Sequence, residues 1–154
     1  MLETDKVFAG SIPENYDRYM VPLIFEPFAA DLAQRAASLS PRAVLETAAG
    51  TGVVARALAP KLSPGASYIV TDLNQPMLDY AASRQAPDNR IKWRQADALA
   101  LPFENAAFDL VCCQFRNVLS RPLICLSRNK ASPEAGGTFF VQRMGSHRGE
   151  CICG

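Results

Sequence analysis

The chain has 154 residues, 49% apolar, 20% charged and 8% aromatic, which is one globular domain's worth of sequence and neither a disordered polymer nor a tandem of catalytic domains. Sixteen Lys and Arg against fifteen Asp and Glu leave a net charge of +1, so no broad basic field points to nucleic acid, and a small molecule is the expected partner. No run reaches the roughly 18 apolar residues of a membrane span and the start, Met-Leu-Glu-Thr-Asp-Lys, is acidic where a signal peptide is basic, so the cytoplasm is the expected compartment.

In chain order, Leu23 to Leu39 carries apolar groups at Leu23, Phe28, Leu32, Ala36 and Leu39, a spacing that predicts an amphipathic helix ending at Ser-Pro. Arg42 to Thr47 predicts a short strand entering a Gly-rich turn, and Val53 to Leu62 a helix that Pro60 should end early. Ser67 to Leu73 predicts a second strand, and Gln75 to Gln85 a helix with Pro near its first position. Ile91 to Ala96 and Phe108 to Cys113 complete the strands. Alternation of strands and helices implies right-handed crossovers and a parallel sheet.

The sharpest motif is Glu46-Thr-Ala48-Ala-Gly50-Thr-Gly52, between the first strand and its helix. Glycines there let the backbone turn tightly and approach a ligand, and the helix start behind them offers free N–H groups. Asp72 ends the next strand, where a carboxylate can accept hydrogen bonds from ribose hydroxyls. These residues alone leave three readings open. Gly50-Thr-Gly52-Val-Val-Ala55 also satisfies the dinucleotide fingerprint of an NAD(P)-binding oxidoreductase, and a Gly turn with Asp72 capping the next helix is the purely structural one.

The third strand region discriminates. VLETAAGTG (44–52), TDLNQPMLDYA (71–81) and QADALALPFENAAFDLVCCQF (95–115) together resemble class I S-adenosylmethionine-dependent methyltransferases, in particular the ubiquinone- and menaquinone-type branch, over about residues 8–115. The resemblance implies a Rossmann-like doubly wound α/β sheet in spatial order 3-2-1-4 and S-adenosyl-L-methionine as cofactor. It further implies methyl transfer to a small-molecule acceptor, without a metal. Position by position, it implies that Gly50 and Gly52 face the methionine moiety beside Ala48, that Asp72 with Leu73 holds the ribose, and that Met77 lines the adenine. Asp97 would read the adenine amino group beside Ala98. Glu46 would orient the loop or meet the ligand's ammonium through water, and Gln114 would lie near the methionine end. Tyr16 and Tyr19, in the N-terminal segment 1–40, stand where such enzymes have a lid, or where an arm packs its aromatics on the core. Asp109 reads as a strand-edge carboxylate without a role.

Composition shifts at Phe115. Residues 1–115 carry ten basic and thirteen acidic side chains, 116–154 six and two, and the only His, with three of five Cys, lies in the later segment. Cys151, Cys153 and His147 have no standard zinc spacing, and an odd cysteine count with Cys112 and Cys113 adjacent predicts reduced thiols. Regrouping plausible codons by one base from Arg116 yields Gly-Met-Phe-Phe-Pro-Asp and converts Glu134-Ala-Gly-Gly to Lys-Pro-Gly-Gly, both expected after such a fourth strand. Residues 116–154 are therefore expected to be an out-of-frame tail on a 41–115 cofactor-binding core, with 136–141 able to imitate a fifth strand; the alternative reading is a naturally divergent C-terminus. The expected consequences of such a tail are an exposed or badly covered fourth strand, an incomplete fold and impaired turnover. The alternative function is then a non-catalytic remnant that binds the cofactor weakly or not at all.

Overall fold

The computed structural model describes residues 12–98, 100–104, 107–114, 138–142 and 150–151. From Ile12 to Ser38 the chain is helical: α1 (Ile12–Asn15), a π-helical segment (Tyr16–Phe25) and α2 (Glu26–Ser38). The sequence-predicted helix thus has its C-terminal end at the expected place but starts well upstream. A proline in a helix interior removes a hydrogen bond and clashes with the preceding turn. Pro27 instead sits in the first turn of α2, where its missing N–H costs nothing, and Pro22 lies within the π-helical segment. A wider turn relieves the clash between a proline ring and the carbonyl four residues back, and the Glu26 N–H reaches the Val21 carbonyl.

The strands are β1 (Ala43–Thr47), β2 (Ser67–Asp72), β3 (Ile91–Gln95), β4 (Leu110–Gln114), β5 (Thr138–Gln142) and β6 (Glu150–Cys151). Between them lie α3 (Val53–Leu58), continued by a 3-10 turn (Ala59–Lys61) as Pro60 requires, and α4 (Gln75–Arg84). The sheet order is β3-β2-β1-β4-β5-β6, with β1 to β5 parallel and β6 antiparallel to β5. The order 3-2-1-4 is the expected doubly wound arrangement, and its switch point lies between β1 and β4.

The sequence expects 136–141 to be able to imitate a fifth strand, and Thr138–Gln142 does pair beside β4, so β4 is not the exposed edge that is the other expectation. β5 pairs along its whole length from Leu110↔Thr138 to Gln114↔Gln142, because Thr-Phe-Phe-Val is a run of β-formers whatever its origin. Residues 116–137 and the cluster residues His147 and Cys153 lie outside the described residues.

Helices α2, α3 and α4 cover one face, where Leu32, Leu58, Leu78, Val44, Val70 and Leu110 form the centre of the main core. Asp109 has the structural place expected of it, since its carboxylate accepts the Arg42 and Ala43 N–H groups at 2.8 and 2.9 Å and fixes the start of β1 against β4. Arg90 gathers the carbonyls of Ala59, Leu62 and Ser63 together with Asp88, closing the end of α3. Cys112 and Cys113 are buried and form no disulfide among the described residues. No helix among the described residues is long and apolar enough to cross a membrane.

Candidate functional site

The carboxyl ends of β1, β2, β3 and β4 converge, and the loop between β1 and α3 lies over them. It is held in place by backbone: the Ala49 N–H donates to the Thr71 carbonyl and the Gly52 N–H to the Ala49 carbonyl, both at 3.0 Å. Three consecutive alternate residues, Ala48, Gly50 and Gly52, have positive φ of 53°, 58° and 79°. Glycine adopts that region freely and alanine does not, so Ala48 stores strain at the turn.

Asp72 is what joins this loop to β2. Its carboxylate accepts the Gly50 N–H and the Asn74 N–H, each at 2.8 Å, from two different loops. Burial raises its pKa, and bonds from the Asn74, Gly50 and Leu73 backbone counteract that by stabilising the charge. The glycine turn and the carboxylate predicted to read ribose thus form one assembled unit. Met77, on the first turn of α4, lies over it, with its methyl carbon 3.9 Å from where a Gly50 Cβ would be.

Gly52 is placed differently. A Cβ there would come within 2.8 Å of the Ala81 Cβ, so its missing side chain is required by the packing of α3's start on α4. Its N–H and carbonyl serve the loop and α3. Asp97 and buried Ala98 follow β3, and the Ala96 N–H donates to the Asp72 carbonyl at 3.0 Å, which brings that turn beside the end of β2. The Leu73 carbonyl accepts the Gln95 side-chain amide.

Gln114 ends β4 and donates its amide to the Phe25 carbonyl at 2.9 Å, tying the site to the end of the π-helical segment. Its Oε1 is buried without a hydrogen-bond partner among the described residues, as are Thr47 Oγ1 and Thr51 Oγ1. Three orphaned polar oxygens around the ends of β1 and β4 suit a polar ligand, since a buried acceptor left unpaired costs about 1–3 kcal/mol.

Glu46, only 1% exposed, accepts a hydrogen bond from the hydroxyl of Tyr68, itself fully buried. Burial pushes the Glu46 pKa up to about 8, against the Tyr68 hydrogen bond, which lowers it.

The N-terminal arm reaches the same region. Tyr16 packs on Phe25 with ring centroids 5.3 Å apart, and burial, then the Asp72 charge, push its hydroxyl up to about 12. Tyr19 points away and is 58% exposed, so of the two aromatics only Tyr16 lies by the site. Sequence reading missed the group that fastens this arm. Asp17, buried on the π-helical segment, accepts Arg56 Nη2 at 2.8 Å and the Tyr80 hydroxyl at 3.3 Å, and lies 3.7 Å from Arg84 Nε. Arg56 also donates to the Thr51 carbonyl in the glycine turn. Asp17 lies between Tyr16 and Arg18 in sequence, and nothing in that local spacing announces three partners from α3 and α4. Among the described residues no group of three His, Cys, Asp or Glu could hold a metal ion.

A family model described as methyltransferase domain matches residues 44–125. The demethylmenaquinone methyltransferase of Clavibacter sepedonicus is 40% identical over 78 residues, covering 49% of this chain and 31% of that protein. That of Thermus thermophilus is 38% identical over 95 residues, covering 57% and 43%. The chain therefore spans less than half the length of these relatives. Among solved structures, a putative S-adenosyl-L-methionine-dependent methyltransferase from Methanococcus maripaludis superposes with a TM-score of 0.71 at 20% identity, over 92% of this chain and 66% of that one. A putative methyltransferase from Bacillus halodurans gives 0.59 at 26% identity, over 73% and 49%.

Proposed function

Because the chain belongs to the methyltransferase domain family, we propose that it binds S-adenosyl-L-methionine on the Glu46–Gly52 loop and serves methyl transfer to a small quinol-type acceptor. The observation that carries this is the Asp72 carboxylate, already clamped to the Gly50 N–H, with lone pairs left for the two ribose hydroxyls. Bound there, the cofactor supplies an electrophilic methyl group on a sulfonium whose leaving thioether needs no acid.

The chain's residues then have only binding work to do. Asp72 holds the ribose beside Leu73, Met77 covers the adenine, and Asp97 beside Ala98 accepts from its amino group. Ala48, Gly50 and Gly52 present backbone to the methionine moiety, and Glu46 and Gln114 stand at its charged end. Tyr16, fastened through Asp17 and Arg56, excludes water from above. Alignment and exclusion of water suffice for an in-line displacement.

Calorimetry with S-adenosylmethionine, its demethylated product and NAD tests the assignment. Asp72→Ala and Gly50→Val should each weaken cofactor binding by about 1–3 kcal/mol. Unchanged binding by both, or preference for NAD, overturns it.

A second reading, cofactor binding without turnover, is favoured by the charge shift after Phe115. It rests on the inference that 116–154 are translated out of frame, leaving 1–40 and 41–115 as the arm and core. Reading the coding DNA around codon 116 in all three frames decides between the two.

A further inference from the structure

Glu46 is buried where a carboxylate has little to balance its charge. β1 and β2 are parallel, with Val44 opposite Tyr68 and Glu46 opposite Val70, so side chains 44, 46, 68 and 70 share a face and the long Tyr68 reaches Glu46 diagonally. On the other flank Glu46 stands opposite Cys112 of β4, which is buried as a thiol. The ionisable groups that act on it are Tyr68 and Asp72 from β2, Cys112 from β4 and Arg56 from α3. Asp72 is an acid, Tyr68 and Cys112 are held neutral by burial, and the one cation acting on it among the described residues, Arg56, is already shared between Asp17 and the Thr51 carbonyl. With its pKa at about 8, the carboxyl is protonated at neutral pH.

We propose that Tyr68 is a positioning residue which holds Glu46 so that the carboxyl releases its proton to solvent when a cationic ligand settles on the adjoining loop. The site would then select the sulfonium cofactor over its neutral thioether product in a pH-dependent way. This deepens the cofactor reading and rests on it. S-Adenosylmethionine brings an ammonium and a sulfonium against one carboxylate, whereas the product lacks the sulfonium charge. A buried carboxylate is stable beside a positive ligand and costly without one. The Tyr68 O–H donates to the ionised oxygen, so it steadies the charged form.

Titrating the full chain calorimetrically in two buffers of different ionisation enthalpy at pH 7 counts the protons and needs no variant. Close to one proton released per S-adenosylmethionine, and fewer with the product, is expected. Affinity for the cofactor should rise by up to about tenfold per pH unit and level off above about pH 8. Tyr68→Phe should still bind but with its pH midpoint moved upward, because the bond that stabilises the carboxylate is gone. Glu46→Gln should release no proton. No proton release by the unaltered chain, or a Tyr68→Phe loss that is the same at every pH, overturns this inference alone. No binding of S-adenosylmethionine at any pH overturns it together with the cofactor reading.

Discussion

On the sheet face covered by α2, α3 and α4, eighteen buried side chains form one cluster, whereas on the opposite face Leu45 and Val111 are the buried pair, packed by Ile69, Leu101, Phe103 and Phe108 among the described residues. Among the described residues the second cover is a loop, pinned by the edge-on contact of Phe103 with Phe108 and by Arg94 over the Phe103 ring. The site draws on the thick face. Glu46 and Asp72 alternate in phase with Val44, Tyr68 and Val70, which the main cluster contains, so the helices that build the core also keep water from the ionisable groups. Stability and the electrostatics of the site are therefore one property on that face.

The largest test of this asymmetry is a pair of truncations. Leu58→Ala, at a fully buried position on α3, should lose about 2–5 kcal/mol in urea unfolding. Val111→Ala on the other face should lose about 1–2 kcal/mol, the value of two methyl groups. Equal losses would mean the faces are equally packed.

The coupling of core to charge is sharpened by pH. Glu46 has a folded pKa of about 8 against 4.5 for the free group, so the unfolded chain ionises first. The stability this group contributes is complete below about pH 4.5 and is lost as pH rises toward 8. Glu46→Gln should flatten that decline in a series of thermal melts, and its melting temperature should exceed the parent's at pH 8 while falling closer to it at pH 5. A parent whose Glu46-dependent stability grew with pH would reverse the picture.

The arm should matter less than the core. Asp17→Ala removes the acceptor for Arg56 and Tyr80 and leaves a partly buried guanidinium, at a cost of about 1–3 kcal/mol. Amide exchange should quicken over the π-helical segment and the glycine turn while β1 and β2 stay protected. Protection lost uniformly would show that the arm is part of the core rather than fastened to it.

Ala48→Gly is the smallest change. Relieving an alanine at φ 53° gains about 1–2 kcal/mol, and the added freedom of the unfolded chain takes back about 0.5–1, so a net gain below about 1.5 kcal/mol is expected from denaturant midpoints.

The sequence by itself determined the order of strands and helices from 42 to 114, because each element there carries its own period and its own stop. Pro60 ended α3, Pro76 opened α4, and β-branched runs marked β2. It also placed Gly50 and Asp72 at the ends of successive strands, which is enough to bring them together once the crossovers are right-handed. The tertiary structure alone decided the rest. Pro22 within a π-helical segment, Asp17 held by side chains 39 and 63 residues away, and Tyr68 reaching Glu46 across a strand are set by packing and register, not by local preference. Gly52 makes the same point in one residue. Its place in the motif suggested ligand approach, yet the atom that forbids a side chain there belongs to Ala81, and only the folded chain brings that atom within 2.8 Å.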